Sequence, residues 1–282
     1  MIKFGPAGQS ASFINEGFKH SWQLPEWLAA KGLNALEYQC NKGVKIGIVA
    51  AKLVGEKAAE FGISLSVHAP YYISLASIEE EKRENSIKYI IDTMRAAEWM
   101  GATRVIVHSG GCTKQVRREA LEVAKSVLLK AIQEADSLGL GDIKICPELM
   151  GKENQLGTLD EVIELCGLDE RMLPCIDFGH LNAREQGSLK TTKDFLKVLD
   201  KMENALGHDR IKNFHTHFSR IEYTGMGEKR HWNYEDTQFG PNFEPFAEAL
   251  LKKNLKPTII CESSGMQAED ATKFKAIYEA LI

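Results

Sequence analysis

The sequence predicts a (β/α)₈ barrel, because eight short apolar runs alternate with amphipathic segments along nearly the whole chain. Successive runs start roughly 30 to 45 residues apart, which is the length of a strand plus a crossover helix. Most of the later runs also stop at or beside a histidine or a carboxylate. All strands of a parallel barrel end at one rim, so these side chains are expected to converge there.

Each predicted strand is a run rich in branched and aromatic residues, and each predicted helix shows amphipathic spacing. The predicted strands are 2–4, 34–39, 63–68, 104–108, 143–148, 173–177, 211–217 and 257–262. The predicted helices are 24–31, 46–61, 79–100, 115–138, 158–166, 190–206, 243–254 and 270–281. The longest remaining segment, 218–242, is predicted to be an irregular loop over the barrel mouth.

Length and composition favour one globular domain over residues 1–282. Hydrophobic residues make up 44% and charged residues 26% of the chain, which is ordinary for a globular protein. The pattern of strands and helices contains no linker or low-complexity tract. A formal net charge of −4 gives no overall attraction to nucleic acid, so any such binding must depend on a local basic patch.

The cysteines and the N-terminal segment predict a cytoplasmic protein. Six cysteines are scattered without a Cys-x-x-Cys pair, which favours reduced and mostly buried thiols. The segment MIKFGPAGQS does not have the pattern of a secretion signal. No apolar run approaches the roughly 18 residues of a membrane span, and nothing in the sequence implies a protein partner.

Six of the eight histidines lie at predicted strand ends or in the segment after the seventh strand. They are His68, His108, His180, His215, His217 and His231. One histidine in such a place is more often a hydrogen-bonded core residue than a ligand, but six at one rim predict a metal site. Imidazole and carboxylate ligands without thiolates suit zinc, manganese or iron.

Carboxylates at the same rim strengthen the prediction of a metal site. Glu148 and Asp177 follow apolar strands, where a charge is costly to bury unless it is paired or metal-bound. In DFGH, Asp177 and His180 are spaced to serve two adjacent metals. In HTH, His215 and His217 share one strand face, and we assign His217 as the ligand because it lies nearer the rim.

These motifs together resemble the endonuclease IV family of abasic-site endonucleases, within the xylose-isomerase-like barrel superfamily. The motifs, in the family's order, are SVHAPYY, VIVHSGG, KICPELM, CIDFGH, NFHTHFS and IICESS, from His68 to Glu262. The resemblance implies a (β/α)₈ barrel that binds zinc and acts in DNA repair. It implies hydrolysis of the phosphodiester on the 5′ side of abasic sites in DNA.

The resemblance also implies three ligand sets, of which the first and second share one bridging carboxylate, Glu148, which we assign as catalytic. The implied first set is His68, His108 and Glu148. The implied second set is Glu148, Asp177, His217 and Glu262. The implied third set contains His180 and His231. Two or three Zn²⁺ ions are expected, with Mn²⁺ as the alternative metal.

One departure from the family concerns the third set. The family has an aspartate two residues before the final histidine, but Lys229 stands at that position here. A lysine ammonium has no lone pair for a metal. Glu228, one residue earlier, is the candidate replacement, because a loop readily re-aims its side chains.

The second departure concerns DNA contacts. The family inserts an arginine from the loop after the second strand, where this chain has Lys42 and Lys45. The family's tyrosine after the first histidine corresponds to Tyr71, which we assign to substrate binding, although an ordinary rim aromatic is an equal alternative. Basic residues near the rim are candidate phosphate contacts, and we assign Arg230 among them to the substrate. The others are Lys114, Arg117, Arg118, Arg220 and Lys229.

The sequence leaves two other functions open. Sugar isomerases and epimerases of the same superfamily, which the chain also resembles, use one divalent metal held by a set like Glu148, Asp177, His217 and Glu262. Such an enzyme has no need of further histidine ligands, so His68, His108 and His231 favour the nuclease. A non-catalytic metal-binding or sugar-binding barrel is disfavoured, because structural metal sites are usually closed and rich in cysteine.

Overall fold

The computed structural model describes residues 1–113 and 115–282. The strands in these residues are β1 Lys3–Pro6, β2 Ala35–Gln39, β3 Ser64–His68, β4 Arg104–Val107, β5 Lys144–Pro147, β6 Cys175–Asp177, β7 His215–Phe218, β8 Arg220–Thr224, β9 Gly227–Trp232 and β10 Thr258–Cys261. Parallel pairing joins β1, β10, β7 and β6 into one sheet and β2, β3, β4 and β5 into another. The pair β8 and β9 forms a separate antiparallel hairpin.

Two seams close the parallel sheets into a barrel. At the first seam, Gly8 N–H donates to the Glu37 carbonyl at 2.9 Å. A Cβ on Gly5 would lie 1.9 Å from the Ala35 carbonyl oxygen, so β1 can approach β2 this closely only with glycine there. At the second seam, Leu149 N–H donates to the Cys175 carbonyl at 2.9 Å. The predicted (β/α)₈ barrel is confirmed.

The helices surround this barrel. They are α1 Ala11–Asn15, α2 Leu24–Ala30, α3 Ile48–Glu60, α4 Glu80–Met100, α5 Arg117–Ser137, α6 Leu159–Cys166, α7 Phe178–Arg184, α8 Thr192–Leu206, α9 His208–Ile211, α10 Phe243–Lys253 and α11 Gln267–Glu279. Local signals set their limits. Gly101 ends α4 at a φ of 67°, and a capping box between Thr158 and Glu161 begins α6.

Three predictions about elements were wrong. The segment 218–242 is not an irregular loop throughout, since it contains the β8–β9 hairpin. The seventh barrel strand begins at residue 215 and not 211, because 208–211 form the short helix α9. The short helices α1 and α7 were missed. The hairpin strands are rich in polar residues, and helices of five to seven residues offer less than two turns of apolar periodicity.

An aromatic cluster packs β7 against the helices outside the barrel. Phe218 stacks on Phe246 with ring centroids 5.6 Å apart, and Phe243 stacks on Phe274 at 4.6 Å. Aromatic pairs of this kind contribute about 0.5–1.5 kcal/mol beyond their buried area. The cluster therefore fixes the strand that carries His215 and His217 toward the barrel interior.

The cysteines agree with the prediction of buried thiols. All six cysteines are buried, and none forms a disulfide within the described residues. No helix in the described part of the chain is long and apolar enough to cross a membrane.

Candidate metal centre

The first predicted ligand set meets at the ends of three neighbouring strands. His68 ends β3, while His108 and Glu148 directly follow β4 and β5. His68 Nε2 lies 3.1 Å and His108 Nε2 lies 2.9 Å from the same oxygen of Glu148, Oε2. The Nδ1 atom of His68 is 2.8 Å from the Ala69 carbonyl, an arrangement that leaves Nε2 free to face Glu148.

The second predicted set shares Glu148 and uses its other oxygen. His217 Nδ1 lies 3.1 Å from Glu148 Oε1 and 3.5 Å from Glu262 Oε2. One ligand atom from each of the four members of this set lies within 4.8 Å of the others. His215, which shares a strand with His217, points to Glu37 instead. The structure thus places His217, and not His215, beside the rim carboxylates.

The motif DFGH explains the orientation of Asp177. Asp177 caps the N-terminus of α7, and its Oδ1 accepts a hydrogen bond from His180 N–H at 2.7 Å. Its other oxygen, Oδ2, is buried and makes no hydrogen bond among the described residues, although His180 Nδ1 lies 3.3 Å away. An ionised carboxylate oxygen left in this way is costly, and a cation coordinated there would compensate it.

The third set forms between α7 and the hairpin. His180, Glu228 and His231 each offer one atom within 4.8 Å of the others. His180 Nε2 lies 3.3 Å from Glu228 Oε2, and His231 is held by Ser219 at 2.8 Å from its Nδ1. Glu228 therefore occupies the place that Lys229 does not fill.

A β-bulge in the hairpin turns Glu228 toward His180 and His231. Glu222 pairs with Arg230 and Tyr223 pairs with Glu228, so Lys229 is the extra residue. In a regular strand, residues two apart share a face. The extra residue turns Glu228 and His231, three apart, to the same side, while Lys229 and Arg230 both contact Glu222 on the other side.

The charges in the centre are strongly coupled. Burial opposes ionisation of Glu148, but His217 and His108 outweigh it and hold the pKa of Glu148 well below its usual range. Burial would lower the pKa of His68 and His180, yet nearby carboxylates raise both to about 9. Burial raises the pKa of Glu262 to about 8, with help from Glu148 and Asp177.

The donor set fits divalent cations. Three adjacent groups offer nitrogen and oxygen atoms, and none of the three contains a thiolate. Asp177 Oδ2, the buried oxygen without a hydrogen bond, belongs to the second group. Zinc and manganese both accept such ligands. The cavity beside them measures about 390 Å³ and is lined by members of all three groups. Tyr71 lies at its rim with half of its surface exposed.

The basic residues predicted to contact phosphate do not line this cavity in the described part of the chain. Arg230 does not line this cavity; its Nε pairs with Glu222 at 2.7 Å and its guanidinium lies over Trp232. Arg117 pairs with Glu161 and Arg118 with Glu164. Arg220 is buried against the Phe239 carbonyl, and Lys114 lies outside the described residues. Lys152, which the sequence analysis did not single out, does line the cavity.

Glu37 is the functional candidate that sequence reasoning missed. It lies on β2, is fully buried, and contacts both His215 and His217. The signal was a glutamate inside the strand ALEYQ, where a fully buried carboxylate must have partners. The histidines on β7 supply them.

The family model described as a xylose isomerase-like TIM barrel matches residues 25–281. The chain belongs to this family. An uncharacterized protein of Methanocaldococcus jannaschii is 34% identical over 281 residues, which are 99% of this chain and 98% of that protein. A probable endonuclease 4 of Methanosphaera stadtmanae is 28% identical over 177 residues, covering 57% of this chain and 60% of that protein.

Solved structures show the same fold with different activities. Endonuclease IV from Thermus thermophilus superimposes with a TM-score of 0.68 at 20% identity, covering 98% of both chains. A 3-keto-D-glucoside 4-epimerase from E. coli superimposes with a TM-score of 0.70 at 16% identity, covering 99% of this chain and all of that one. At these identities the likeness concerns the fold and does not separate the two activities.

Proposed function

We propose that this protein is a zinc-dependent phosphodiesterase that hydrolyses the phosphodiester 5′ to abasic sites in DNA. The observation that carries the proposal is the presence of two histidine-bearing groups beside the four-residue group shared with one-metal enzymes. One is His68, His108 and Glu148, and the other is His180, Glu228 and His231. A one-metal sugar enzyme has no use for either. The probable endonuclease 4 relatives support the same choice.

The ligand assignment follows from the geometry of Glu148. Its Oε2 faces His68 and His108, whereas its Oε1 faces His217. Glu148 would therefore bridge the first and second ions, with Asp177, His217 and Glu262 completing the second set. His180, Glu228 and His231 would hold the third ion.

When bound, such ions supply Lewis acidity that activates water and neutralises the charge developing on the phosphodiester. The chain supplies the position of the substrate. A cavity of about 390 Å³ admits one sugar-phosphate unit and not a base-paired duplex, so the reacting nucleotide has to leave the stack. Tyr71 at the rim would contact the displaced sugar, and Lys152 in the cavity wall would pair with a phosphate.

The second candidate function is a metal-dependent sugar epimerase. It is favoured by the group Glu148, Asp177, His217 and Glu262, which suffices for one ion, and by the epimerases among the structural neighbours. In such an enzyme Glu148 and Glu262 would exchange the proton beside the carbonyl.

The deciding experiment offers both substrate classes to one preparation purified without chelator. One assay follows cleavage of a duplex with a single tetrahydrofuran abasic analogue, using the intact duplex as control. The other follows epimerisation of a ketose panel. Incision 5′ to the analogue, with no epimerisation, supports the nuclease. Epimerisation without incision contradicts it.

A further inference from the structure

Glu37 lies beneath the metal centre, where four side-chain donors surround its carboxylate. Ser66 Oγ donates to Oε2 at 2.9 Å, and His215 Nε2 lies 2.9 Å from the same oxygen. Gln39 Nε2 donates to Oε1 at 3.1 Å, and His217 Nε2 lies 3.0 Å from that oxygen. Each carboxylate oxygen therefore has two polar neighbours; three of the four contacts are hydrogen bonds, and His217 Nε2 is at ion-pair distance without hydrogen-bond geometry.

Because its carboxylate is already engaged by these side chains, Glu37 has a role other than that of a metal ligand. Glu37 does lie within 4.8 Å of ligand atoms from His68, His217 and Glu262, so distance alone permits coordination. To bind an ion it would have to give up contacts with Ser66 or the histidines, all of which are buried. Loss of such buried contacts is costly, because the released donors find no water there.

The two nitrogens of His217 face opposite directions. Nδ1 faces Glu148 and Glu262, and Nε2 faces Glu37. Carboxylates thus face both nitrogens, and a metal held together with Glu148 and Glu262 would take the lone pair of Nδ1 and leave the proton on Nε2, beside Glu37. A proton on Nε2 therefore gives His217 the tautomer that binds a metal through Nδ1.

The partner of His217 differs from those of His68 and His231. His68 Nδ1 faces the Ala69 carbonyl, and His231 Nδ1 faces the Ser219 hydroxyl. These are neutral groups, whereas Glu37 is a carboxylate. A charged partner increases the basicity of the bound imidazole more than a neutral one.

We infer that Glu37 is the positioning residue of the second ligand set: it fixes the tautomer and ring orientation of His217. His215, Ser66 and Gln39 hold Glu37 in place for this role. The inference rests on the proposed metal centre and adds Glu37 and its neighbours, which lie behind His217 in the barrel interior. It gives His215 a function without making it a ligand.

The test compares zinc affinities by competition with a chromophoric chelator in wild type, Glu37→Gln and Ser66→Ala. Glutamine presents an NH₂ group to one of the two histidines, so it cannot accept both protons. We expect Glu37→Gln to weaken zinc binding at the second set by roughly 10–100-fold, as removal of an outer carboxylate partner does elsewhere. The ion at His180, Glu228 and His231 should be unaffected. Ser66→Ala, which leaves the His217 contact intact, should change affinity by a few-fold at most.

A measurement on the wild type covers the case in which Glu37→Gln does not fold. In the zinc-loaded protein, ¹⁵N chemical shifts of the histidine rings should show His217 with its proton on Nε2 and the metal at Nδ1. A His217 that binds metal through Nε2, or a Glu37→Gln variant with wild-type affinity, would overturn the role of Glu37 alone. Wild-type protein that takes up no zinc would instead contradict the proposed metal centre and, with it, this inference.

Discussion

Two candidate ligand groups lie at the ends of barrel strands, and we call them the strand-borne groups: His68, His108 and Glu148, and Glu148, Asp177, His217 and Glu262. They differ from the hairpin-borne group, which consists of His180, Glu228 and His231. His68, His108 and Glu148 follow consecutive strands whose spacing is fixed by the sheet. Glu228 and His231 lie on a two-stranded hairpin and face His180 because of a bulge. The strand-borne groups are therefore built into the barrel. The hairpin-borne group depends on a feature that one insertion or deletion would remove, and we expect it to hold its ion less tightly.

The largest effect is expected from Glu148→Gln. The variant loses the charge that both strand-borne groups share, so hydrolysis of abasic DNA should fall by more than about 10²-fold. This is more than the loss of activity expected when a residue that only contacts a ligand is removed. The hairpin-borne group should still bind its ion. Incision rates and metal content of the folded variant check this, with circular dichroism confirming the fold. Substantial residual incision would contradict the bridging role.

His108→Ala separates the two strand-borne groups. It removes a ligand from the first set and leaves Asp177, His217 and Glu262 in place, so we expect the loss of one ion and of most incision. A one-metal epimerase would keep nearly all its activity. His20→Ala, at an exposed position that does not line the cavity, is the matched control. Equal activities of the two variants would count against the first set.

Glu228→Ala tests the hairpin-borne group directly. We expect the number of bound ions to fall by one and incision to fall, while the strand-borne groups remain loaded. Lys229→Ala should leave the metal content unchanged, because Lys229 pairs with Glu222 on the outer face. Deletion of Lys229, which removes the bulge, should behave like Glu228→Ala. If Glu228→Ala retains all its metal, the replacement of the family's aspartate by Glu228 is wrong.

The metal-free protein should lose stability as the pH rises from about 6.5 to 9. The pKa values of His68 and His180 lie near 9 in the fold, above the ordinary 6.5, so their protonated forms stabilise the folded state below that range. Glu262, with a pKa of about 8, acts in the same direction. Melting temperatures in chelator between pH 6 and 10 measure the decline, which should flatten in His68→Ala. Zinc-loaded protein should not show it, since the metal displaces these protons.

The smallest effect is expected at the cavity rim. Tyr71→Ala should raise KM for abasic duplex by a few-fold to about tenfold, the size of one aromatic contact with a nucleotide, and change kcat little. Tyr71→Phe keeps the ring and should resemble the wild type. An unchanged KM in Tyr71→Ala would make Tyr71 an ordinary rim aromatic.

The difference between the two regions also explains what the sequence could predict. Candidate ligands at strand ends such as VIVHSGG and IICESS can be predicted from the sequence, because the last side chains of every barrel strand lie at the same rim. The hairpin could not be predicted in the same way, since its strands are polar and its bulge depends on pairing between Glu222 and Arg230. The sequence therefore made Glu228 a candidate ligand, but only the register of the hairpin shows how its side chain reaches His180 and His231.

Glu37 shows a second limit of sequence reasoning. The range 34–39 was predicted as a barrel strand without comment on its glutamate, and the partners that make the burial of Glu37 tolerable come from β3 and β7. Contacts between residues 178 positions apart leave no local pattern in the sequence. Arg230 shows the converse: a basic residue at the right place in the chain points away from the cavity because of the bulge.

The most direct test of the metal centre is the number and position of ions in a crystal structure of protein purified without chelator. Anomalous scattering at the zinc edge should give three peaks. They should lie at His68–His108–Glu148, at Asp177–His217–Glu262 and at His180–Glu228–His231. A single peak, confined to Glu148, Asp177, His217 and Glu262, would contradict the account and point to the chemistry of a one-metal sugar epimerase.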